Sequence, residues 1–326
     1  MTRVTSTKSV AGPEQSGPAT GARPPKREGA WRKRVELTVL LVPPLVLFIG
    51  FVLVPIVFAA WYSLYNWSGY GPLTDFVGFQ NLSGVITGPV FHQSLEHNVI
   101  IAALSIIIQL PISIALALLL NRRLRGQTFL RLAVFTPWVL SEATTAVLWL
   151  LLLEPGGFVN QLLQAVGLGA LVHQWLASTS LVLYTLFFVI TWKYIGFGIV
   201  LLLAGLQGIP AELREAAAID GASPWNITRR IMLPLLGPTV RIWIFLSVIG
   251  SLQLFDVVWI MTQGGPANAS STMLTYLYYN GVERYQFGYG SAVAVVLFVI
   301  SFIFALAYQR FALRRDTAGA VTRAVG

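Results

Sequence analysis

The sequence predicts an all-α membrane protein with six transmembrane helices. Three observations carry that expectation. The chain of 326 residues is 56% hydrophobic and only 11% charged, far from the composition of a soluble domain. Six apolar stretches each reach the roughly 20 residues that a helix needs to cross about 30 Å of hydrocarbon. Of the 22 Lys and Arg, 20 fall on one side of the plane that these stretches define, which is the positive-inside signature.

Residues 1–36 are rich in Pro, Gly, Ser and Thr and hold eight of the basic residues. They predict a disordered cytoplasmic tail rather than a cleaved signal peptide. Span one, Leu37–Tyr62, ends in the aromatic cluster Trp61, Tyr62, Tyr65, Trp67 and Tyr70, placed where an interfacial belt belongs. Spans two and three, Val99–Leu120 and Leu132–Leu153, flank the basic turn of Arg122, Arg123, Arg125 and Arg131. Span four is Leu181–Leu206, span five Ile242–Met261 and span six Phe287–Tyr308.

The loops Asn66–Asn98, Glu154–Ser180 and Thr262–Gln286 hold a single basic residue, Arg284, and are expected outside. Both termini and the loop 207–241 are expected in the cytoplasm. The layout is then a tail over 1–36, a six-span domain over 37–315 and a second tail over 316–326. Pro43, Pro44, Pro55, Pro111 and Pro137 lie within spans, where neighbouring helices must satisfy the backbone groups they free.

Several chemistries are excluded. The formal charge of +9 is explained by topology, so it does not indicate nucleic-acid binding. With no cysteine, disulfides, thiol catalysis and thiolate-bound metals are ruled out. His92, His97 and His173 make no His-Glu-x-x-His pair on one helical face. Phe287-Gly288-Tyr289-Gly290 lacks the Thr-Val that precedes Gly-Tyr-Gly in a potassium filter. Ser291 has no membrane-embedded histidine to activate it. None of Lys8, Lys26, Lys33 and Lys193 follows a glycine, so no phosphate-binding G-x-x-x-x-G-K loop exists. The chain is expected not to be an enzyme and to hold no cofactor or metal of its own.

The loop 207–241 carries the densest local signals. Ile209-Pro210 can open a helix, and Ala211 to Ile219 is an Ala/Glu/Leu/Arg run of high helix propensity. Asp220-Gly221 ends it, with Gly221 suited to the left-handed conformation. Ser223-Pro224 restarts the chain as an N-cap followed by proline at N1. The second helix is expected to run to about Met232 and stop before Pro234. Two short helices at an angle would form a cytoplasmic elbow, either a docking element or an ordinary linker.

Within this loop Glu215, Ala216, Ala217, Gly221, Ile231, Leu233 and Pro234 meet the pattern E-A-A, three residues, G, nine residues, I-x-L-P. That pattern resembles the EAA motif of permease subunits of bacterial ABC importers. Further stretches are similar to the carbohydrate branch of those permeases, including the maltose and glycerol-phosphate systems. They include Phe135-Thr136-Pro137 with Ser141 and Trp149, Glu154-Pro155-Gly156-Gly157 with Asn160, and Trp192-Lys193. Phe255-Asp256, Thr262-Gln263-Gly264-Gly265-Pro266 and Gly288-Tyr289-Gly290-Ser291-Ala292 complete the likeness, with Gly290 where alanine is common.

The resemblance implies the type I importer fold with cytoplasmic coupling helices, in the inner membrane of a bacterium. It implies that the elbow, with Asp220 among its residues, docks on a separate P-loop ATPase that binds ATP and Mg. It implies a second, homologous permease and an extracytoplasmic sugar-binding protein, and a sugar or oligosaccharide as cargo. The competing reading from residues alone is an ion-coupled secondary transporter, which commonly shows internal repeats that are not evident here.

Three charges fall within spans, Glu142, Lys193 and Asp256. In lipid such residues face a bundle interior or a water-filled path, so they either lock helices together or touch the substrate. Gln109, Gln253, Trp138 and Trp149 join them as candidates, since sugars need polar partners for their hydroxyls and rings for their apolar faces. Counting about 1.5 Å per residue from the cytoplasmic ends puts Lys193 and Asp256 at about the same depth and predicts that they pair. Glu142, somewhat lower, remains within reach of the lysine stem.

Overall fold

The computed structural model describes residues 28–122 and 126–313. Up to residue 27 the tail expected over 1–36 lies outside the described residues, and so do Arg123, Arg125 and the tail over 316–326. The chain divides into two units, one ending at Pro55 and the other beginning at Ile56.

The first unit is helix α1 (Glu28–Phe48), which starts ahead of Leu37, followed by a π turn over Ile49–Leu53. Its apolar side chains are exposed all round the helix, as those of a lipid-facing span are. Helix α2 (Val54–Tyr62) leads into the second unit.

That unit is wholly helical apart from one isolated bridge, Tyr65 with Phe76. It begins with a short α3 (Gln80–Thr87), then α4 (Pro89–Leu104) and α5 (Leu110–Leu120). Next come α6 (Gln127–Val139), α7 (Glu142–Leu153), α8 (Phe158–Ala165) and the long α9 (Val182–Gln207). The loop 207–241 contributes α10 (Ala211–Ile219), α11 (Pro224–Ile227) and α12 (Leu233–Leu235). The remainder is α13 (Gly237–Leu252), α14 (Asp256–Thr262), α15 (Met273–Tyr278) and α16 (Phe287–Tyr308).

Among the described residues four helical runs are long and apolar enough to cross a membrane: Arg34–Tyr62, Pro89–Leu120, Val182–Gln207 and Phe287–Ala312. Two bent pairs raise the total to six. Span six coincides with the expected Phe287–Tyr308, and span four with the expected Leu181–Leu206 to within a residue. Span two starts at Pro89 rather than Val99. Pro89 seeds the helix at its first turn, and buried polar residues that follow are hydrogen-bonded within the protein. Ser94 Oγ lies 2.9 Å from Ser271 Oγ, and His97 Nδ1 lies 2.8 Å from the Ser271 carbonyl.

The expected continuous span Leu132–Leu153 is instead broken. Helices α6 and α7 meet at 102°. Leu140 and Ser141 are extended, and Ser141 caps α7 by accepting from the Thr144 amide at 3.1 Å. Pro137 stays inside α6. The expected span Ile242–Met261 is broken too. Helix α13 ends at Leu252, Gln253 to Phe255 leave the helix, and α14 restarts at Asp256 to pack along α7. An acid in the first turn of α14 is favoured there by the helix dipole.

Broken backbone at membrane depth needs partners, and side chains from other elements supply them. At the first break the Leu140 carbonyl accepts from Lys193 Nζ at 2.6 Å. At the second, Asn98 donates to the Ser251 carbonyl and accepts from the Met273 amide at 3.0 Å, while Thr272 donates to the Leu254 carbonyl at 2.8 Å.

Three π turns answer the prolines. Ile49–Leu53 precedes Pro55, Ser105–Gln109 precedes Pro111 and Thr228–Met232 precedes Pro234, each ending two residues ahead of the ring. A proline in a regular helix lacks an amide and presses on the carbonyl four residues back. The wider turn, bonded five residues back, relieves both. This is why the second elbow helix does not stop before Pro234 as expected but continues through α12.

Helix α9 forms the centre, packing on α5, α6 and α13. Its glycines set the spacing, as small residues do in membrane bundles. A Cβ on Gly198 would lie 2.6 Å from Trp243 Nε1, and one on Gly205 would press on Thr239 and lie 2.8 Å from Leu236 Cδ1. One buried cluster gathers Leu186, Val189, Val257 and Val258, and another gathers Leu110, Leu202, Leu206 and Trp243.

Candidate functional site

Between the two breaks the helices leave a cavity of about 300 Å³. The π turn of span two brings Ser105 and Gln109 to it, the end of α6 brings Trp138, and the start of α7 brings Glu142. Tyr194 and Phe197 come from α9, and the break after α13 adds Gln253, Phe255 and Asp256. The bends make the cavity, because each redirects a helix that would otherwise fill it.

Of the residues singled out from sequence, Trp138, Glu142, Gln253, Asp256 and Gln109 meet here. Lys193 and Trp149 do not line it. Lys193 is 2% exposed and lies behind the wall, bonded to the Leu140 carbonyl, with Nζ 3.9 Å from Glu142 Oε1. Its expected pairing with Asp256 is therefore corrected. The depth count treated both spans as straight, and the bend between α6 and α7 brings the Glu142 carboxylate to the lysine instead. Trp149 packs edge-on against Trp192 and Phe188, at 5.4 and 5.2 Å between ring centroids.

Glu142 is held from two sides, since Tyr194 Oη donates to the same Oε1 that faces Lys193. Lys193 and Tyr194 are consecutive and so diverge by about 100° round the helix. One serves the bend and the other reaches the cavity. Sequence reasoning passed over Tyr194 because the adjacent lysine was the costlier residue to bury.

Gln109 is 4% exposed and Ser105 2%. Among the described residues neither side chain has a hydrogen-bond partner, although both border the cavity. Their polar atoms are not sealed in and open on the cavity, where water or an entering molecule can bond them. Trp138, 43% exposed, offers a ring face beside them and is tilted against Phe197.

The loop 207–241 forms the expected two-helix elbow. Gly221 has φ +79°, the Ala222 amide bonds the Ala217 carbonyl at 2.9 Å, and the Gly221 amide bonds the Ala218 carbonyl at 3.1 Å. That pair of bonds is a Schellman C-cap, with Asp220 closing the helix. Ser223 caps α11 by accepting from the Asn226 amide at 3.3 Å, with Pro224 at N1.

Glu215 and Ala216 are exposed, and Ala217 is partly buried. Ile219 and Trp225 stand out at 86% and 67% exposure. Ile231 and Leu233 are partly buried and Pro234 is exposed, while Met232 and Leu236 join the buried cluster of Leu202, Leu206 and Ile209. The elbow is thus rooted on α9 at one end and bare at the other.

The family model described as "Binding-protein-dependent transport system inner membrane component" matches residues 109–317. The chain is 34% identical to a probable ABC transporter permease protein, YurN, of Bacillus subtilis, over 83% of this chain and 94% of that one. It is 32% identical to the trehalose/maltose transport system permease protein MalF of Thermococcus litoralis, over 85% and 94%. Its fold is similar to a solved bacterial ABC transporter involved in the import of the acidic polysaccharide alginate. That likeness has a TM-score of 0.76 at 22% identity and covers 89% of this chain and 99% of the other. With the match covering more than half of its length, the chain belongs to the binding-protein-dependent transport system inner membrane components: it is a multi-pass permease subunit of an ABC importer, and not an enzyme.

Proposed function

We propose that this permease carries a sugar or oligosaccharide, and that the cavity between the broken spans is its half of the translocation path. The observation that carries the reading is the unpartnered pair Gln109 and Ser105 beside Trp138 and Gln253. Hydroxyls of a saccharide satisfy such amides and hydroxyls, and its apolar face stacks on an indole. The sugar-import relatives favour the same cargo.

A second, homologous permease supplies the other half of the path, and an extracytoplasmic binding protein delivers the cargo at the outer loops. The elbow of Glu215, Ala216, Ala217, Asp220 and Gly221, anchored through Ile231, Leu233 and Pro234, docks on an ATPase subunit where ATP and Mg bind. Bare apolar side chains at Ile219 and Trp225 suit a protein interface. Both termini face the cytoplasm, with the six-span domain over 37–315 between two tails. Lys193 and Trp149 act by holding the walls of the path. Lys193 stabilises the bend that aims Glu142 into the cavity.

The test is uptake into liposomes that contain the complete complex, with binding protein outside. Uptake of labelled maltose or another saccharide that needs internal ATP and falls severalfold in Gln109→Ala supports the reading. Uptake driven by an ion gradient without ATP would instead make the protein an ion-coupled secondary transporter. Wild-type uptake in Gln109→Ala would remove the cavity from the path.

A further inference from the structure

We propose that the cavity sorts saccharides by charge, accepting uncharged and amino-bearing units and rejecting units that carry an anionic group. This deepens the path reading above and rests on it. Two carboxylates, Glu142 and Asp256, border the cavity, and no basic side chain among the described residues does. The one ammonium nearby, on Lys193, is buried behind the wall. It is committed to the Leu140 carbonyl and to Glu142, so it offsets Glu142 without offering an incoming anion a partner.

Asp256 differs from Glu142 in this respect. It is exposed at the first turn of α14, and no described side chain pairs with it. The cavity as a whole therefore keeps a net negative charge at the place where Gln109, Ser105 and Gln253 wait for hydrogen-bond partners. These amides and hydroxyls are indifferent to charge, and the carboxylates are not. A uronate or sulfonate brought into the cavity adds a further negative charge beside Asp256. At the effective dielectric of a partly buried site that lowers affinity by about tenfold or more. An ammonium on the sugar gains a comparable advantage from Asp256.

The experiment measures binding to the complete importer in lipid nanodiscs, without binding protein, by saturation-transfer NMR. The probes are maltose, deacetylated chitobiose and digalacturonic acid at mildly acidic pH, where amines are charged and uronates ionised. The expected order is chitobiose above maltose, with digalacturonic acid weaker than maltose by about tenfold. Asp256→Asn, a same-shape change, should raise digalacturonic acid binding relative to maltose severalfold and lower chitobiose relative to maltose.

Glu142→Gln gives the second readout, because it removes the other carboxylate but also releases Lys193. Equal binding of maltose and digalacturonic acid, unchanged by Asp256→Asn, overturns the sorting by charge while leaving the path reading intact. A maltose signal that is missing, or that survives Gln109→Ala undiminished, overturns the path reading and the sorting with it.

Discussion

The Lys193 ammonium lies 3.9 Å from the Glu142 carboxylate and reaches across the 102° bend to bond the Leu140 carbonyl at 2.6 Å. One buried cation thus serves both sides of a broken span. It satisfies a carbonyl at the end of α6 and faces the acid in the first turn of α7. Only the lysine of this pair is buried, Glu142 being 33% exposed, so losing the acid leaves a buried ammonium alone while losing the lysine leaves a carboxylate that water can reach. Glu142→Gln should accordingly lower thermal stability in detergent, although its amide can still accept from Tyr194, and Lys193→Met should lower it through the lost bond to the Leu140 carbonyl. The double variant should be more stable than the sum of the two losses by about 0.5–3 kcal/mol. Lys193→Met combined with Asp256→Asn should show no such relief. Melting curves for the wild type, the three single variants and the two double variants decide it, and coupling with Asp256 instead of Glu142 would refute the assignment.

Gly221 holds φ +79° with open space around the position a Cβ would take. The requirement there is conformational, not steric. Gly221→Ala should therefore cost about 1–2 kcal/mol locally, and Gly221→Val more, with no change in the spans. The expected outcome is normal membrane insertion with reduced ATPase-subunit retention and reduced transport, graded from Ala to Val. Co-purification and uptake measured on the same preparations check this. Full transport by the Val variant would reduce the elbow to a linker.

Gly205 behaves differently, since a Cβ there meets Thr239 and Leu236 on the neighbouring helix. Gly205→Val should destabilise by about 1–3 kcal/mol through overpacking, and Thr239→Ala should recover part of the loss. The readout is the melting temperature of the purified complex. A Val variant that melts like the wild type would mean that α9 and α13 do not meet through this glycine.

Orientation has its own test. A tag placed after Gly326 should be protected from a membrane-impermeant reagent in intact cells and labelled only after lysis. That expectation follows from the one-sided placement of 20 of 22 basic residues. Labelling from outside would reverse the whole arrangement.

What could be read from sequence followed the range of the signals involved. The elbow was legible because Asp220-Gly221 and Ser223-Pro224 act on their immediate neighbours, and the structure shows each making the bonds its chemistry suggests. Span six was legible because it holds no charged residue and no proline. The two bends were not. Ser141 in one apolar run and Gln253 in another do not alter the mean hydropathy of a window, which measures composition and carries no direction. Partner choice for Lys193 failed for the same reason, since equal depth along straight rods is not proximity once a rod is broken. Gln109 was noticed only as a polar residue in lipid. That its amide finds no partner among the described residues is a property of the helices packed around it and cannot be seen in one.

The π turns ahead of Pro55, Pro111 and Pro234 also bear on how this chain tolerates change. Each holds one residue more than the α turn it replaces, and one residue is about 100° of rotation. Deleting a residue within Ser105–Gln109 would shorten span two by only about 1.5 Å. It would close the wide turn to an α turn and leave both flanks in register, but it would return Pro111 to a regular helix, where its ring presses on the carbonyl four residues back. A residue lost elsewhere in the span has no wide turn to close, and would swing one end of the helix by about 100° against the other. Each of these prolines and the extra residue ahead of it are therefore expected to be kept or lost together.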